Sequence, residues 1–244
     1  MKNVLVTGGA GGIGSSISKT FIDHGYFVYI LDTDTVRSAQ LVAEYGADHC
    51  CAIDLDVTDT KSIQDYCASL EEDFTLNHIV TLAGRALEGE WLPFHEQTLD
   101  TAERSVKVNL LGHINVIHSF LPFLHRGEGD RSIVMVSSIN AVENFGLPVY
   151  SAAKSGLYGF MNGIVGEFGK DGIRINTISP GTVITPATET EPKDFNKLLK
   201  GAALKRFATA EDVANAVFSI CTVFHSMTGH NLIIDAGQII THTY

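Results

Sequence analysis

Short apolar runs alternate with longer amphipathic stretches along the whole chain. Residues 2–7, 27–31, 49–54, 77–82, 132–136, 174–178 and 231–234 are compact runs rich in Val, Ile and Leu. Runs that short and that continuously apolar read as strands buried on both faces. Between them, about 12–24, 35–45, 59–72, 98–124 and 210–224, polar positions recur with helical spacing, and another helix follows Pro148. Strands alternating with helices predict an α/β fold with a doubly wound parallel sheet of about seven strands and helices on both faces. No linker, repeat or low-complexity segment interrupts the pattern, so residues 1–244 are expected to form one domain.

The positions just beyond the predicted strands carry the chemistry. Gly8, Asp32, Asp56, Ala83, Ser138 and Pro180 all fall there. In open parallel sheets the ligand site lies outside the carboxyl ends of the strands. After the first strand comes Thr7-Gly8-Gly9-Ala10-Gly11-Gly12-Ile13-Gly14, then a helix. Glycines let a pyrophosphate approach the backbone, and the helix N-terminus offers free N–H groups and a positive dipole end. Asp32 ends the second strand twenty residues past Gly12, where a carboxylate meets an adenosine ribose diol. This is the pattern of a Rossmann-type nucleotide domain. Asp32 would repel a 2′-phosphate, and Thr33-Asp34-Thr35 brings no cation, so NAD is expected rather than NADP; Arg37 is the one basic residue nearby.

A proton device follows the fifth strand. Tyr150 and Lys154 are four apart and share one helix face, with Pro148 suited to the first turn. A phenol titrates near ~10 and is a poor base at neutral pH, but an adjacent ammonium favours the phenolate. The Ser138 hydroxyl could bond the same substrate oxygen. Alone, Tyr-x-x-x-Lys is too common to mean this; its position after a nucleotide loop and a strand-end serine is what gives it weight.

Totals exclude several classes. A formal net charge of −11 argues against nucleic acid or an anionic membrane as partner. No apolar run approaches the ~18 residues of a membrane span, and the N-terminus enters a strand at once, which leaves no room for a signal peptide. Cys50, Cys51, Cys67 and Cys221 form no Cys-x-x-Cys pair, and the ten histidines show no metal-ligand spacing. A cytoplasmic protein without a metal is expected.

Taken together, the glycine loop, Asp32, Asn109, Ser138 and Tyr150-x-x-x-Lys154 resemble the short-chain dehydrogenase/reductase family, from Val4 to Gly237. The resemblance implies that Gly8, Gly12, Ile13 and Gly14 bind cofactor phosphates. By the same resemblance Asp56 and Val57 meet the adenine, and Ala83 and Gly84 line the cofactor cleft. Asn109 matches the asparagine that holds a proton-relay water. Pro180-Gly181-Thr182-Val183-Ile184-Thr185 matches the segment that binds the nicotinamide amide and phosphates, through Val183 and Thr185. Tyr150 would be the acid/base; Lys154 would lower its pKa and bind the nicotinamide ribose; Ser138 would orient the substrate oxygen. The chain departs from the family at Leu82, where an asparagine is usual, and at Ala236, where a glycine is usual. Ser138 also stands twelve residues before Tyr150, one fewer than usual. Either the intervening loop is shortened and Ser138 acts, or it is not and Ser137 does; Ser138 is taken because the second serine of such a pair is the usual one.

Arg85, Glu88 and Trp91, with Asn140, Glu143 and Asn144, are expected to face the substrate. Residues 186–205, with Glu189, Glu191 and Asp194, are expected to form a lid. This polar lining favours a small alcohol or carbonyl substrate such as a sugar or polyol. A 3-oxoacyl thioester reductase, a non-catalytic NAD(H) sensor and an NAD-dependent epimerase are the competing readings. Ala152, Gly156, Gly159, Gly163 and Gly166 make a small-residue stripe on the Tyr150 helix that fits its own sheet or a second subunit. The family's habit of pairing these helices implies a homodimer or homotetramer.

Overall fold

The central strand is built from residues that tolerate water on neither face. In the computed structural model, which describes residues 1–143, 145–186, 188–189 and 191–239, β1 (Lys2–Thr7) holds Val4, Leu5 and Val6 fully buried. Its twofold alternation sends Val4 and Val6 into one core layer and Leu5 into the other. β2 (Tyr26–Asp32), β3 (Cys50–Asp54), β4 (His78–Thr81), β5 (Arg131–Val136), β6 (Ile173–Pro180) and β7 (Asn231–Ile234) join it. All pair in parallel, in the order β3-β2-β1-β4-β5-β6-β7. The chain leaves β1 towards β2 on one side and returns to β4 on the other, so a crevice opens where β1 and β4 end.

Helices cover both faces. α1 (Gly12–Asp23) and α8 (Ala210–Thr222) bury Ile17, Phe21, Val213 and Val217 against the Val4/Val6 side. α5 (Gly112–Arg126) and α6 (Pro148–Lys170) bury Val116, Phe120, Leu157 and Phe168 against the Leu5 side. α2 (Thr35–Tyr45), α3 (Thr60–Ser69), α4 (Leu99–Val106) and α7 (Phe195–Gly201) complete the set. Asp34, Asp59, Thr98, Asp194 and Thr209 cap α2, α3, α4, α7 and α8 through side-chain oxygens, which satisfies donors that a helix start otherwise leaves open.

The predicted helix over 98–124 is not one regular helix. A π-helical turn, Lys107–Leu111, separates α4 from α5 and carries Asn109. Apolar periodicity does not reveal one extra residue in a turn, which is why the pattern reads as continuous. Two 3-10 turns, Glu88–Trp91 and Phe94–Glu96, and α7 also lie where no element was predicted. The two departures from the family pattern have visible consequences. Leu82 brings no amide, and Thr7 Oγ1 of β1 instead accepts from the backbone N–H groups of Leu82 and Ala83 at 3.0 and 3.1 Å. Ala236 adopts φ 53, a left-handed conformation that a glycine would hold without strain.

A buried charge clasps the far end of β6. The Arg174 guanidinium donates to both carboxylate oxygens of Asp130 at 3.0 and 2.7 Å, and to the carbonyls of Ile220 and Cys221 at the end of α8. Removing one partner of such a pair strands the other and leaves carbonyls without donors. Arg174→Ala is expected to lower unfolding free energy by about 3 kcal/mol in urea titration; a loss under ~1 kcal/mol would show that the clasp does not hold α8 to the sheet.

Candidate active site

The glycine loop is shaped by close approaches. A Cβ on Gly14 would lie 1.9 Å from the Gly8 carbonyl oxygen, and one on Gly12 would lie 2.7 Å from Thr185 Cβ. Gly8 itself has φ +64. Only glycine fits these positions, so the loop folds tightly over the start of α1 and brings Thr185, beyond β6, against it. Unlike the five capped helices, α1 starts at Gly11 with no side-chain cap. Its first N–H groups are therefore left for an anion, and the loop fits a cofactor pyrophosphate. Asp32 stands beside the loop: Oδ2 accepts from Ala10 N at 2.9 Å and Oδ1 from Asp34 N at 3.0 Å. Each oxygen keeps a lone pair for a ribose hydroxyl. Asp34, not Asp32, caps α2, and the Arg37 guanidinium bonds Gln40 at 3.3 Å.

The other expected cofactor residues divide. Ala83 lies against Gly8, whose Cβ would meet Ala83 Cα at 3.0 Å, and Gly84, at φ +138, faces Asn109. Val183 and Thr185 are buried at the crevice edge. Asp56 is exposed and spends Oδ1 on Thr58 N at 2.8 Å. The Val57 side chain is buried against Gly112 of α5, so only its backbone is left to face a base.

Tyr150, Lys154, Ser138 and Asn109 converge where β5 and α6 begin the far wall of the crevice. Leu147, at φ 54, turns the chain into α6, and Pro148 occupies the first turn. Ser138 lies close enough to the Tyr150 phenol to favour its ionised form, while its Oγ donates to Asn140 Oδ1 at 3.3 Å and accepts from Asn140 N at 3.2 Å. The buried Ser137 hydroxyl instead donates to the Lys154 carbonyl at 3.0 Å. Lys154 is 2% exposed, and its ammonium donates to Val136 O at 3.0 Å, with His113 Nε2 3.4 Å away. Asn109 Nδ2 donates to Arg85 O at 3.0 Å, while its Oδ1 is buried beside Gly84 with no partner among the described residues. A buried amide oxygen in that state asks for a donor such as water.

Electrostatics differ from the sequence-based expectation. Burial pushes the Tyr150 phenol up to about 12; the nearby Ser138 hydroxyl works the other way, and the carboxylates of Glu191 and Glu90 add to the rise. Burial likewise brings Lys154 down to about 7. Loss of water works against the charged form of each group, and the ammonium, turned into Val136 O, lies 5.9 Å from the Tyr150 ring centre.

Around this centre, Trp91 lies under Lys193 Nζ at 5.2 Å from the ring centre, and Lys193 pairs with Glu191 at 2.6 Å. Glu88 and Arg85 are exposed. Asn140 and Glu143 line an open groove of about 430 Å³ with Pro148 and Ser151; Asn144 lies outside the described residues. Two site residues escaped the sequence reading. Glu90 is 2% exposed, accepts from Leu87 N at 2.8 Å through Oε2 and has no partner for Oε1 among the described residues. His113 sits four residues after Asn109, the helical spacing that could have drawn attention to it.

Comparison with known proteins agrees with this geometry. Residues 8–238 match the family model described as enoyl-(acyl carrier protein) reductase. The chain belongs to the short-chain dehydrogenase/reductase family. The 3-oxoacyl-[acyl-carrier-protein] reductase of Bos taurus is 32% identical, over 98% of this chain and 99% of that one. The L-rhamnose 1-dehydrogenase (NAD(P)(+)) of a Sphingomonas strain is also 32% identical, over 98% and 96%. A solved oxidoreductase of this family from Burkholderia thailandensis superposes with a TM-score of 0.88 at 31% identity, covering 98% of this chain and 93% of that one. The family consists of oxidoreductases that use a nicotinamide cofactor. Among the described residues, no helix is long and apolar enough to cross a membrane.

The two serines are distinguishable by substitution. Ser138→Ala is expected to lower kcat at least tenfold. Ser137→Ala, which removes a bond to the Lys154 carbonyl and an interaction with Tyr158, should cost less than threefold together with a small fall in Tm. The reverse order would assign the role to Ser137.

Proposed function

We propose that this protein is an NAD-dependent oxidoreductase that moves a hydride between a secondary alcohol or ketone and nicotinamide, on a small polyhydroxylated substrate such as a sugar or polyol. The observation that carries this reading is that Ser138, just past β5, and Tyr150, one helical turn from buried Lys154 on α6, meet at one point of the crevice. The nicotinamide, when bound, supplies the hydride donor or acceptor. Tyr150 gives a proton to the substrate oxygen, or takes it, and Ser138 holds that oxygen by a hydrogen bond. Lys154, where it carries its proton, offers the positive charge that favours the phenolate. Asn109, through its unpartnered Oδ1, holds the water that links this centre to solvent. The glycine loop and the open start of α1 hold the pyrophosphate, and Asp32 holds the adenosine ribose and disfavours a 2′-phosphate.

The polar groups near the crevice, Asn140 and Glu143 in the groove beside Pro148 and the carboxylates of Glu90 and Glu191 within electrostatic reach of Tyr150, support this substrate class. Carboxylates accept hydrogen bonds from hydroxyl groups and are poor neighbours for an acyl chain. The L-rhamnose relative favours the same reading; the bovine relative favours 3-oxoacyl reduction, which is the second reading. Residues 186–205, with α7 and the Glu191–Lys193 pair over Trp91, serve as the lid.

A homodimer or homotetramer is part of this proposal. A Cβ added to Gly159, Gly163 or Gly166 of α6 would meet nothing within 4 Å, whereas at Gly156 it would come 2.9 Å from Leu110. The outer part of the stripe is thus not consumed by internal packing. Gly159→Leu should lower the assembled mass in light scattering; an unchanged mass would remove α6 from the interface.

Following NADH and NADPH formation across sugars, polyols, hydroxyacyl thioesters and hydroxysteroids tests the whole reading. Turnover is expected with NAD and a polyhydroxylated substrate, and Tyr150→Phe should lower kcat about a thousandfold while NAD still binds. Retained turnover in that variant would refute the role of Tyr150, and NADP preference would refute that of Asp32.

A further inference from the structure

His113 is a fully enclosed titratable side chain that the proposed chemistry leaves unused. It is 2% exposed and projects from α5 towards the strand ends. Nδ1 lies 2.7 Å from Thr81 Oγ1 at the end of β4, and Nε2 lies 3.4 Å from Lys154 Nζ. An ammonium carries only donors, so the nitrogen facing it must present a lone pair. That places the ring proton on Nδ1, where it donates to Thr81 Oγ1. The threonine fixes the tautomer and the tautomer fixes which edge meets the lysine.

We propose that His113 is a positioning residue for Lys154, a neutral acceptor that, with the Val136 carbonyl, locks two of the ammonium's three N–H groups and leaves one for the cofactor side of the crevice. The inference rests on the functional reading above. A long lysine side chain has many rotamers to lose, and two acceptors on different elements, β5 and α5, hold its head in place before any ligand arrives. His113 stays neutral: burial pushes it well below the ordinary histidine range, as does the Lys154 charge, against a hydrogen bond with the Ala83 backbone. It therefore never repels the ammonium. A space-filling histidine would need neither the Thr81 contact nor the lysine contact. The titratable neighbour of the pair is Tyr150 on α6, its ring centre 5.9 Å from the Lys154 ammonium, and Tyr150 in turn feels the carboxylates of Glu191 and Glu90. β4 and β5 present only Thr81 and the Val136 carbonyl at this point.

The test measures Lys154 directly. Lysine labelled with ¹³C at Cε, assigned by Lys154→Met, gives its titration by NMR in the wild-type protein and in His113→Val, His113→Gln and Thr81→Val. A neutral acceptor favours the charged lysine, so His113→Val should lower the Lys154 pKa by at least about half a unit, a threefold change in its protonation equilibrium. His113→Gln, whose amide oxygen can take the same N–H, should restore most of it, and Thr81→Val should give an intermediate value. The pH limb of kcat for alcohol oxidation should move upward in His113→Val, with the substrate KM changed less than twofold. If His113→Val fails to fold, His113→Gln and Thr81→Val still decide. Titrations of Lys154 unchanged in every folded variant would overturn the proposal. If wild-type protein turns over no alcohol, the functional reading fails while the NMR titration still judges His113.

Discussion

A lysine ammonium taken almost wholly out of water must be supplied with acceptors, and the crevice of this protein is organised around that demand. Lys154 meets it with the last carbonyl of β5 and with an imidazole from α5. Those contacts bind three elements at one point: the helix that carries Tyr150, the strand that ends beside Ser138, and the helix that follows Asn109. Ser137 closes the ring by donating to the lysine's own carbonyl. A charge so placed is expensive unless its surroundings are complete. Removing water costs the charged forms of both Tyr150 and Lys154, which is why each is driven towards neutrality.

The opposite wall of the crevice obeys a different constraint. There the limiting quantity is space, not charge. Gly14 against the Gly8 carbonyl and Gly12 against Thr185 leave no room for a methyl group. The same contacts draw the chain beyond β6 over the start of α1. One wall is thus set by hydrogen-bond supply and the other by steric contact, and the parallel sheet fixes the distance between them because β1, β4 and β5 are direct neighbours.

Much of this was readable before any coordinates. Strands such as Val4-Leu5-Val6 are buried on both faces, so their composition marks them without ambiguity, and parallel pairing follows from the helices between them. The places of residues at strand ends or at helical spacing, such as Asp32 and the Tyr150–Lys154 pair, were legible for the same reason, whatever their roles. The rest depends on contacts between segments far apart in sequence. Glu90 looks like a surface acid until the 3-10 turn buries it. His113 looks like one of many scattered histidines until α5 sets it beside Lys154. The expectation that Lys154 would lower the Tyr150 pKa considered only a pair of charges, whereas burial acts on each group separately and against its charged form.

The π-helical turn at Lys107–Leu111 puts backbone regularity at odds with placement of side chains. Deleting one residue there would let α4 and α5 merge into an unbroken α-helix with better hydrogen bonding. It would also rotate everything on one side of the cut by about 100° relative to the other. The residues of α4 and of α5 could then keep their present faces together only if α5 turned out of its bed on Val116 and Phe120. Length variation in this helix is therefore barred by the site it serves, and an evolutionary or engineered shortening that improves the helix would dismantle the centre.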